Sequence, residues 1–380
     1  MKMLINNGKI APVFFHIREK LLTAIEEKGV EITISGNQTG CDGFISGLGL
    51  KYQFVDVDRT GNNPIKDIRT IIDYFRLCKK FQYDVVISYT VKPNIYGSIS
   101  ARLAGIKRIY PTVNGLGYTF TDNGKRTFKQ IIIRQVNILL YKIAFCCASK
   151  VFFQNPDDAR ELIQCHAIIR DKCVIIAGSG IDVDKYSYTP VFNTNVFFFA
   201  SRLLAAKGIS TFIEAAKRIK SEYPFARFIV AGSLDNNPDS ISVSELNSAI
   251  SERTIEYLGH ISNMYEKLVE CSAFILPSYY REGVPHAILE AMSVGRPIIT
   301  CNTPGCRETV LEADENGKGK NGFLIEPRDD EALYNHIKWL INHPDEVKLM
   351  GAESRRNAEE KFNVEKVNSV ILSTLALNEE

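Results

Sequence analysis

The sequence predicts an α/β protein in which parallel sheets are covered by helices. Short apolar, β-rich runs alternate with amphipathic helical patterns along the 380 residues, and this alternation favours strand–helix–strand units over hairpins. At roughly 150 residues per domain, the length favours two domains. The predicted strands cover residues 30–35, 84–88, 151–154, 174–176, 196–200, 228–231, 273–276 and 297–301.

A polar segment separates the first set of strands from the second. Gly178-Ser-Gly180-Ile-Asp182 ends the first set, and the polar residues that follow contain Tyr and Pro. We therefore expect an N-terminal domain over 1–180, a hinge over 181–195 and a second domain over 196–362.

The composition is typical of a soluble globular chain, with 45% hydrophobic and 24% charged residues. No run approaches the roughly 18 apolar residues of a spanning helix. Met1-Lys-Met-Leu-Ile5 begins a strand and lacks the features of a signal peptide. The nine cysteines form no C-x-x-C pair and no Cys/His ligand pattern, so we expect buried thiols in a cytoplasmic, reducing compartment.

Charge is distributed unevenly between the two halves. Residues 1–180 carry 25 Lys and Arg against 15 Asp and Glu, a net charge of +10, and residues 181–380 carry 21 against 29, a net charge of −8. A basic half suggests an anionic partner, such as a membrane surface, a lipid diphosphate or a nucleic acid. Because no nucleic-acid recognition motif accompanies it, we expect no nucleic-acid partner.

The most distinctive motif holds two carboxylates eight residues apart, Glu282-Gly-Val-Pro-His-Ala-Ile-Leu-Glu290. Pro285 suits the first position of a helix and Gly295 a left-handed C-terminal cap, so the motif predicts a helix from about 285 to 294. The helix N-terminus would attract an anion, and Gly283 would let a diphosphate approach the backbone. Two acids on different faces can reach both ends of one elongated ligand; without the flanking glycine and prolines they would be an ordinary surface pair.

A second motif follows the strand predicted at 196–200, in Ser201-Arg-Leu-Leu-Ala-Ala-Lys207-Gly208. Arg202 and Lys207 would leave the strand end in a loop that leads into a helix, where open α/β sheets bind phosphate. Two solvated cations are the plain alternative.

Together these motifs resemble the donor half of the retaining glycosyltransferases of family 4, which have the GT-B fold of two facing Rossmann-like domains with an interdomain cleft. The resemblance extends over about 178–362 and implies that the last helix, 363–380, packs back on the N-terminal domain. It rests on Arg202, Lys207, Glu282-Gly-Val-Pro285, Glu290, Ala231-Gly-Ser233, Tyr257-Leu-Gly259 and Pro304-Gly-Cys-Arg-Glu308.

The N-terminal half is similar to bacterial members of this family that extend lipid-diphosphate-linked oligosaccharides for lipopolysaccharide O-antigen, capsule or protein glycans. The similarity implies transfer of a hexose or N-acetylhexosamine from a UDP-sugar to a polyprenyl-diphosphate-linked acceptor, at the inner membrane surface and without a cofactor. It rests on Lys92-Pro-Asn-Ile-Tyr-Gly97, Ala101-Arg-Leu-Ala-Gly105 and Asn114-Gly-Leu-Gly-Tyr-Thr-Phe120.

The resemblance also implies roles for the donor-side residues. Arg202 and Lys207 would stabilise the departing diphosphate, Glu282 would contact the donor sugar and Glu290 the ribose. A phosphate oxygen would take the acceptor proton, so no protein nucleophile is needed; a double displacement through Glu282 or another carboxylate stays open. The other donor-side candidates are Gly232, Gly259, His260, Ile261, Gly283, Val284, Pro285 and Glu308, the last of which either positions the donor loop or forms an ordinary salt bridge.

Four residues of the N-terminal half are acceptor-side candidates: Gly8, His16, Lys92 and Asn94. Many relatives place a histidine where this chain has Thr90-Val-Lys92-Pro93-Asn94, so a histidine role does not transfer to that loop. Lys92 either acts on the acceptor phosphate or is simply exposed. A lone histidine is more often structural, but His16 follows the first strand, where we expect an acceptor-side loop.

Two D-x-D triplets, Asp56-Val-Asp58 and Asp182-Val-Asp184, could bridge a divalent cation to a diphosphate. That signature belongs to a different glycosyltransferase fold, and the second triplet lies in the predicted hinge. We therefore expect no metal.

A long helix predicted over 125–149 has two interpretations. Arg126, Gln130, Arg134 and Asn137 form one stripe at helical spacing, and the apolar residues lie opposite. A core-facing helix with a solvated basic face is the simpler interpretation, and a helix lying on the inner membrane leaflet is the alternative. The apolar stripe comprises Phe128, Ile131, Ile132, Leu139 and Ile143.

Two other function classes fit parts of the pattern. A nucleotide-sugar 2-epimerase of the same fold would need no second substrate. A nucleotide-sugar-binding protein without turnover is disfavoured because Arg202, Lys207, Glu282 and Glu290 are all present.

Overall fold

The computed structural model describes residues 1–58, 63–121, 127–192, 195–234 and 239–377. These residues form two compact units. Met1–Ser179 and Glu365–Glu380 make up the first unit, and Gly180–Val364 makes up the second. Each unit is built on its own seven-stranded sheet.

The first sheet is parallel throughout, in the order β3-β2-β1-β4-β5-β6-β7. A π-helical turn at Pro93–Gly97 runs directly into the fourth helix. The strands are β1 (Lys2–Ile10), β2 (Glu31–Gln38), β3 (Lys51–Gln53), β4 (Val85–Tyr89), β5 (Arg108–Val113), β6 (Val151–Phe153) and β7 (Cys173–Ile175). The helices are α1 (Pro12–Glu26), α2 (Asp42–Gly47), α3 (Pro64–Phe81), α4 (Ser98–Leu103), α5 (Phe128–Cys147) and α6 (Pro156–Gln164).

The second sheet has the order β10-β9-β8-β11-β12-β14-β13, and only its edge pair β13–β14 is antiparallel. Its strands are β8 (Val196–Ala200), β9 (Arg227–Ala231), β10 (Glu256–Tyr257), β11 (Ala273–Leu276), β12 (Ile298–Cys301), β13 (Lys318–Gly319) and β14 (Gly322–Ile325). Its helices are α7 (Ile209–Glu222), α8 (Val243–Ser251), α9 (Met264–Glu270), α10 (His286–Val294), α11 (Asp330–Asn342) and α12 (Pro344–Glu360), and α13 (Val364–Leu375) closes the chain.

The α/β prediction is confirmed, and both strand orders are those of a Rossmann-like domain. Each sheet reverses its strand order once, between β1 and β4 in the first unit and between β8 and β11 in the second. Ligands of open α/β sheets bind outside the carboxyl ends of the strands at this point. The candidate site of each unit is therefore expected there.

The first strand is longer than the sequence predicts. Lys9 and Ile10 still pair with Asn37 and Gln38 of β2, so β1 continues well beyond the predicted strand segment Met1-Lys-Met-Leu-Ile5. Because α1 starts at Pro12, His16 lies in its second turn. The placement of His16 in a strand-end loop is therefore wrong.

The core of the first unit has two halves, one on each side of the sheet, because successive strand residues point to opposite faces. One half contains Tyr74 of α3 and Tyr141 of α5. The other contains Phe15 of α1 together with Ile371 and Leu375 of α13. Helix α13 thus contributes to the core of the first unit, and Arg108 Nη2 also donates to the carbonyl oxygen of Ala376 over 2.9 Å.

Five of the nine cysteines are buried, three are half-buried and Cys146 is exposed; all nine are free thiols. The expectation of buried thiols is therefore wrong for Cys146, which lies on the outer face of α5.

The simpler interpretation requires the basic stripe of helix α5 to face water. In the structure the apolar stripe faces water instead. Arg134 is half-buried and pairs with Glu161 over 2.9 Å, and Asn137 donates to Thr119 over 3.2 Å. The basic and polar stripe therefore faces the protein, and Arg126 lies outside the described residues. The exposed apolar side chains are Phe128 (78%), Ile131 (44%), Ile132 (47%), Val136 (50%), Leu139 (57%) and Ile143 (44%).

By length and composition alone, α5 could cross a membrane, since its 20 residues include a window of mean hydropathy 1.3 that is only 22% buried. The expectation that no segment is long and apolar enough to span a membrane is wrong for α5 by this measure. Lys129, Arg134 and Lys142 interrupt the apolar residues, so a search for an unbroken apolar run passes over the helix.

We expect Leu375→Ala to lower the free energy of unfolding by about 2–5 kcal/mol, the usual cost of removing a buried leucine side chain. Leu375 is fully buried in the core of the first unit, whereas Val370 on the same helix is 40% exposed. Val370→Ala is the matched control and should change stability by less than about 1 kcal/mol. Urea denaturation followed by circular dichroism measures both; equal losses would mean that α13 does not pack as described.

Candidate active site

An ion pair joins the loops that follow β8 and β11. Lys207 lies in a 3-10 turn after β8, and its Nζ contacts Glu282 Oε2. The other carboxylate oxygen of Glu282 accepts a 2.8 Å hydrogen bond from the hydroxyl of the buried Ser278. The side chains of Lys207 and Glu282 are only 10% and 16% exposed. The structure thus brings together two residues that lie 75 positions apart in the chain.

Backbone hydrogen bonds at Ala206 hold the two loops together. The N–H groups of Tyr279 and Tyr280, just after β11, both donate to the carbonyl oxygen of Ala206 over 2.9 Å. The N–H of Ala206 donates to Asp239 over 3.1 Å. Lys207 is the next residue, so its side chain starts from a fixed point.

A glycine contact holds the loop after β12 against the Glu282 loop. Gly305 has φ +81°, and a Cβ atom there would lie 1.7 Å from the carbonyl oxygen of Gly283. The adjacent Cys306 is fully buried, and burial raises the pKa of its thiol to about 12. Only glycine allows this backbone approach.

Helix α10 begins directly after the Glu282 loop, as the sequence predicts. Pro285 takes the N-cap position and Gly295 ends the helix with φ +87°. The predicted helix over about 285–294 is confirmed, with Pro285 one position earlier than expected. The N-terminus of α10 therefore lies beside the Lys207–Glu282 pair, with Gly283 and Val284 buried between them.

Glu290 lies one turn further along α10, on another face. Its Oε1 accepts a 2.7 Å hydrogen bond from the hydroxyl of Tyr186 and lies 3.7 Å from His286 Nε2. Burial raises the pKa of Glu290 to about 7, although the Tyr186 hydrogen bond and nearby Lys185 favour the charged form. Glu290 is thus a carboxyl group that titrates near neutral pH.

The other predicted residues of this unit surround the carboxyl ends of β8, β9 and β10. Arg202 is exposed in the loop after β8. Gly232 has φ +143°, and a Cβ atom there would lie 1.7 Å from the carbonyl oxygen of Ser201. Its N–H donates to the carbonyl oxygen of Gly259 over 2.8 Å. The glycines let the strand-end loops lie close together.

His260 and Glu308 take more ordinary positions. The exposed His260 has Nδ1 2.9 Å from the carbonyl oxygen of its neighbour Ile261, which is half-buried. Glu308 accepts a 2.9 Å ion-pair contact from Lys361. Of its two interpretations, the salt bridge is present.

In the first unit, Gly8, Lys92 and Asn94 lie at the point between β1 and β4 where the strand order reverses. The N–H of Gly8 donates to Thr90 Oγ1 over 3.3 Å, and Thr90 itself has φ +70°, a conformation uncommon outside glycine. The interpretation of Lys92 as simply exposed is wrong, since its Nζ lies 2.6 Å from Asp67 Oδ1 and its side chain is 15% exposed.

Asn94 and His16 have structural contacts. Asn94 is buried; its amide donates to the carbonyl oxygen of Thr112 over 2.8 Å and accepts from the Thr112 N–H over 3.3 Å. His16 is exposed on α1, with its ring 5.2 Å from and nearly perpendicular to that of Phe44. The structure does not bring His16 to the strand ends that hold Gly8 and Lys92.

Among the residues that the structure describes, no group of three or more His, Cys, Asp and Glu side chains could hold a metal ion. Asp56 instead accepts a 3.0 Å hydrogen bond from Asn37, and Asp182 accepts from the N–H of Asp184 over 3.1 Å. Both D-x-D triplets thus have contacts within the chain.

Sequence reasoning missed three residues of this site. Ser278 lies two residues after the end of β11, so its place near a strand end was available as a signal. Asp239 supports Ala206 from a loop after β9, and Tyr186 contacts Glu290 from the predicted hinge. Nothing in the local sequence marks the last two.

Two family models match the chain. One, described as glycosyl transferases group 1, matches residues 184–360, and the other, described as glycosyl transferase 4-like, matches residues 12–155.

The chain is 29% identical over 315 residues to the N,N'-diacetylbacillosaminyl-diphospho-undecaprenol alpha-1,3-N-acetylgalactosaminyltransferase of Campylobacter jejuni, covering 79% of this chain and 80% of that one. It is 28% identical over 318 residues to the UDP-Gal:alpha-D-GlcNAc-diphosphoundecaprenol alpha-1,3-galactosyltransferase of Escherichia coli, covering 80% and 77%. A crystal structure of HepE from Anabaena in complex with UDP and glucose superposes with a TM-score of 0.78 at 19% identity, over 99% of each chain.

We expect the stability of the protein to fall, relative to a Glu290→Gln variant, as pH rises from about 4.5 through 7. Folding raises the pKa of Glu290 from 4.5 to about 7. Between these pH values the folded protein keeps a proton that the unfolded chain has released, so the free energy of unfolding falls as pH rises. Above pH 7 both states have lost the proton, and the stabilising contribution is gone. The difference amounts to at most about 3.5 kcal/mol, since one pKa unit corresponds to about 1.4 kcal/mol.

Denaturation of both proteins at pH 5 and pH 7.5 measures this difference. Glu315→Gln, which changes an exposed carboxyl group in the second unit, is the control. A Glu290→Gln variant whose stability follows the wild type at both pH values would contradict the assignment.

Proposed function

This chain belongs to the family 4 glycosyltransferases and has their GT-B fold, and we propose that it moves a hexose or N-acetylhexosamine from a UDP-sugar to a polyprenyl-diphosphate-linked saccharide. The products would be precursors of a bacterial surface polysaccharide or glycan. The anomeric configuration of the sugar would be retained.

The Lys207–Glu282 pair beside the N-terminus of α10 carries this proposal. A lysine and a helix N-terminus provide positive charge for a diphosphate, and an adjacent carboxylate can accept hydrogen bonds from sugar hydroxyls. Glu290, further along α10, would bind the ribose at the other end of the nucleotide. The two acids then act on opposite ends of one donor.

The transfer step needs no protein nucleophile. The bond between the anomeric carbon and the diphosphate oxygen breaks while the acceptor oxygen bonds to that carbon on the same face. The acceptor proton passes to an oxygen of the departing diphosphate, which leaves as UDP. Lys207 and Arg202 stabilise the charge that grows on the diphosphate.

The choice of substrates is supported by the relatives. The names of both enzymes specify sugars linked to diphospho-undecaprenol, and the name of the second specifies UDP-galactose as donor. In the first unit, Gly8, in the last part of β1, and Lys92, just after β4, are the residues that we propose for the acceptor side. Lys92 already pairs with Asp67. An acceptor phosphate would therefore compete with Asp67 for the ammonium group of Lys92.

We further propose that the protein acts at the inner membrane surface and that the outer face of α5 contacts the lipid. Apolar side chains dominate that face, and Lys129 and Lys142 flank it. The helix contains no carboxylate, and residues 1–180 carry a net charge of +10. An apolar stripe with flanking lysines suits a surface of anionic lipid.

Helix α5 would lie on the membrane and not across it. Its other face packs in the core through Tyr141, Ala144 and Phe145, and Arg134 pairs with Glu161. A spanning orientation would remove these contacts and expose Arg134 to lipid, which is costly.

Purified protein should release UDP from one of UDP-galactose, UDP-glucose, UDP-N-acetylgalactosamine and UDP-N-acetylglucosamine only when an undecaprenyl-diphosphate-linked sugar is added. Lys207→Gln should weaken UDP binding about 10- to 100-fold, because it removes a charge-assisted hydrogen bond. Glu282→Gln should abolish transfer but bind UDP at least as tightly as wild type, since Lys207 loses its internal partner.

Calorimetry with UDP and product analysis by mass spectrometry measure both effects. The control is Lys217→Gln, which changes a half-buried lysine of α7 in the same unit, and this variant should bind and transfer normally. The assignment would be overturned if Glu282→Gln transferred sugar at the wild-type rate, or if Lys207→Gln bound UDP as tightly as wild type.

A second measurement concerns the membrane. Vesicles containing phosphatidylglycerol should bind the wild type and bind the double variant Ile132→Asp/Leu139→Asp at least 10-fold more weakly, because each change puts a charge into the lipid-facing stripe. The control is Leu349→Asp, a 63% exposed leucine of the second unit. Equal vesicle binding by all three proteins would exclude α5 as the contact.

A further inference from the structure

Hydrogen bonds from helices α10 and α12 hold the segment before β8. Ser293 Oγ donates to the carbonyl oxygen of Tyr186 over 2.7 Å. Arg355 Nη1 donates to the same oxygen over 3.0 Å and to that of Val183 over 3.0 Å. The N–H of Thr189 donates to the carbonyl oxygen of Val294 over 3.1 Å. The backbone at Tyr186 is therefore held at a fixed distance from α10.

The Tyr186 side chain extends from this fixed backbone to Glu290. Its hydroxyl donates to Glu290 Oε1 over 2.7 Å, and its ring lies 6.4 Å from that of Tyr265 at 66°. Among the described residues, none donates a hydrogen bond to Glu290 Oε2, whereas Oε1 is bound to Tyr186. One carboxylate oxygen is thus held in place while the other has its acceptor capacity available.

We propose that Tyr186 is a positioning residue, which orients Glu290 so that its second oxygen accepts hydrogen bonds from the ribose hydroxyls of the donor nucleotide. This inference rests on the proposed function, because it takes Glu290 as the ribose ligand. Tyr186 does not touch the nucleotide; it acts through Glu290. A carboxylate held in one rotamer binds a diol more tightly than a mobile one, because less conformational freedom is lost on binding.

Tyr186→Phe tests the proposal because it removes the hydroxyl and keeps the ring beside Tyr265. The dissociation constant of UDP should rise about 10-fold, as expected for one hydrogen bond to a charged group, and that of 2′,3′-dideoxy-UDP should stay unchanged. In transfer assays the KM for the UDP-sugar should rise with little change in kcat. In a Glu290→Gln background, Tyr186→Phe should have no further effect on UDP affinity.

Tyr265→Phe is the matched control. Its hydroxyl lies 2.8 Å from Ser187 Oγ in the same segment and does not contact Glu290, so its loss should leave UDP and dideoxy-UDP binding as in wild type. A general disturbance of the segment would instead make Tyr265→Phe and Tyr186→Phe behave alike, which would overturn the proposal.

Two failures are distinguishable. If the wild type binds UDP and dideoxy-UDP equally, Glu290 does not bind the ribose and the proposed role of that residue fails. If the wild type prefers UDP and Tyr186→Phe prefers it equally, Glu290 keeps its role and only the role of Tyr186 is overturned.

Discussion

The ion pair between Lys207 and Glu282 is the interaction around which the second unit is arranged. Both side chains are mostly buried, and removing water from two charges carries a free-energy cost that their attraction offsets only with good geometry. The surrounding structure supplies that geometry through the backbone of Ala206 and the hydroxyl of Ser278. This cost is one reason why we propose that the pair serves to bind a charged ligand and not to stabilise the fold.

Parallel strands explain why these residues meet at all. The carboxyl ends of parallel strands lie at one edge of a sheet, and the reversal of strand order between β8 and β11 opens a space between their loops. The same geometry brings Gly8 to the loop that contains Lys92 in the first unit. Each unit thus presents its polar residues at the equivalent point of its sheet.

Helix α5 exposes its apolar stripe and covers its polar stripe. A globular protein normally turns its charged stripe to water, but Arg134 is here used to bind Glu161 inside the unit and the apolar stripe is exposed. An exposed apolar stripe is disfavoured in water unless another surface covers it. A lipid surface would cover such a stripe and attract its flanking lysines, which is why we propose that the protein acts at a membrane.

The sequence by itself determined the fold class, nine of the strands and the helix that follows Glu282, because each depends on residues near one another in the chain. It missed β5, which contains Pro111 opposite Ser88 of β4, because proline argues against a central strand. It also identified the residues of the Lys207–Glu282 pair, through their positions after predicted strands, but not the contact between them.

Only the tertiary structure decided which side of a helix is covered and which distant side chains meet. Periodicity separates the two stripes of α5 but does not say which one the sheet covers. The packing of His16 against Phe44, the pairing of Lys92 with Asp67 and the contact of Tyr186 with Glu290 all join segments far apart in sequence. Such contacts depend on how the elements pack, and a local sequence pattern does not identify a partner that lies far away in the chain.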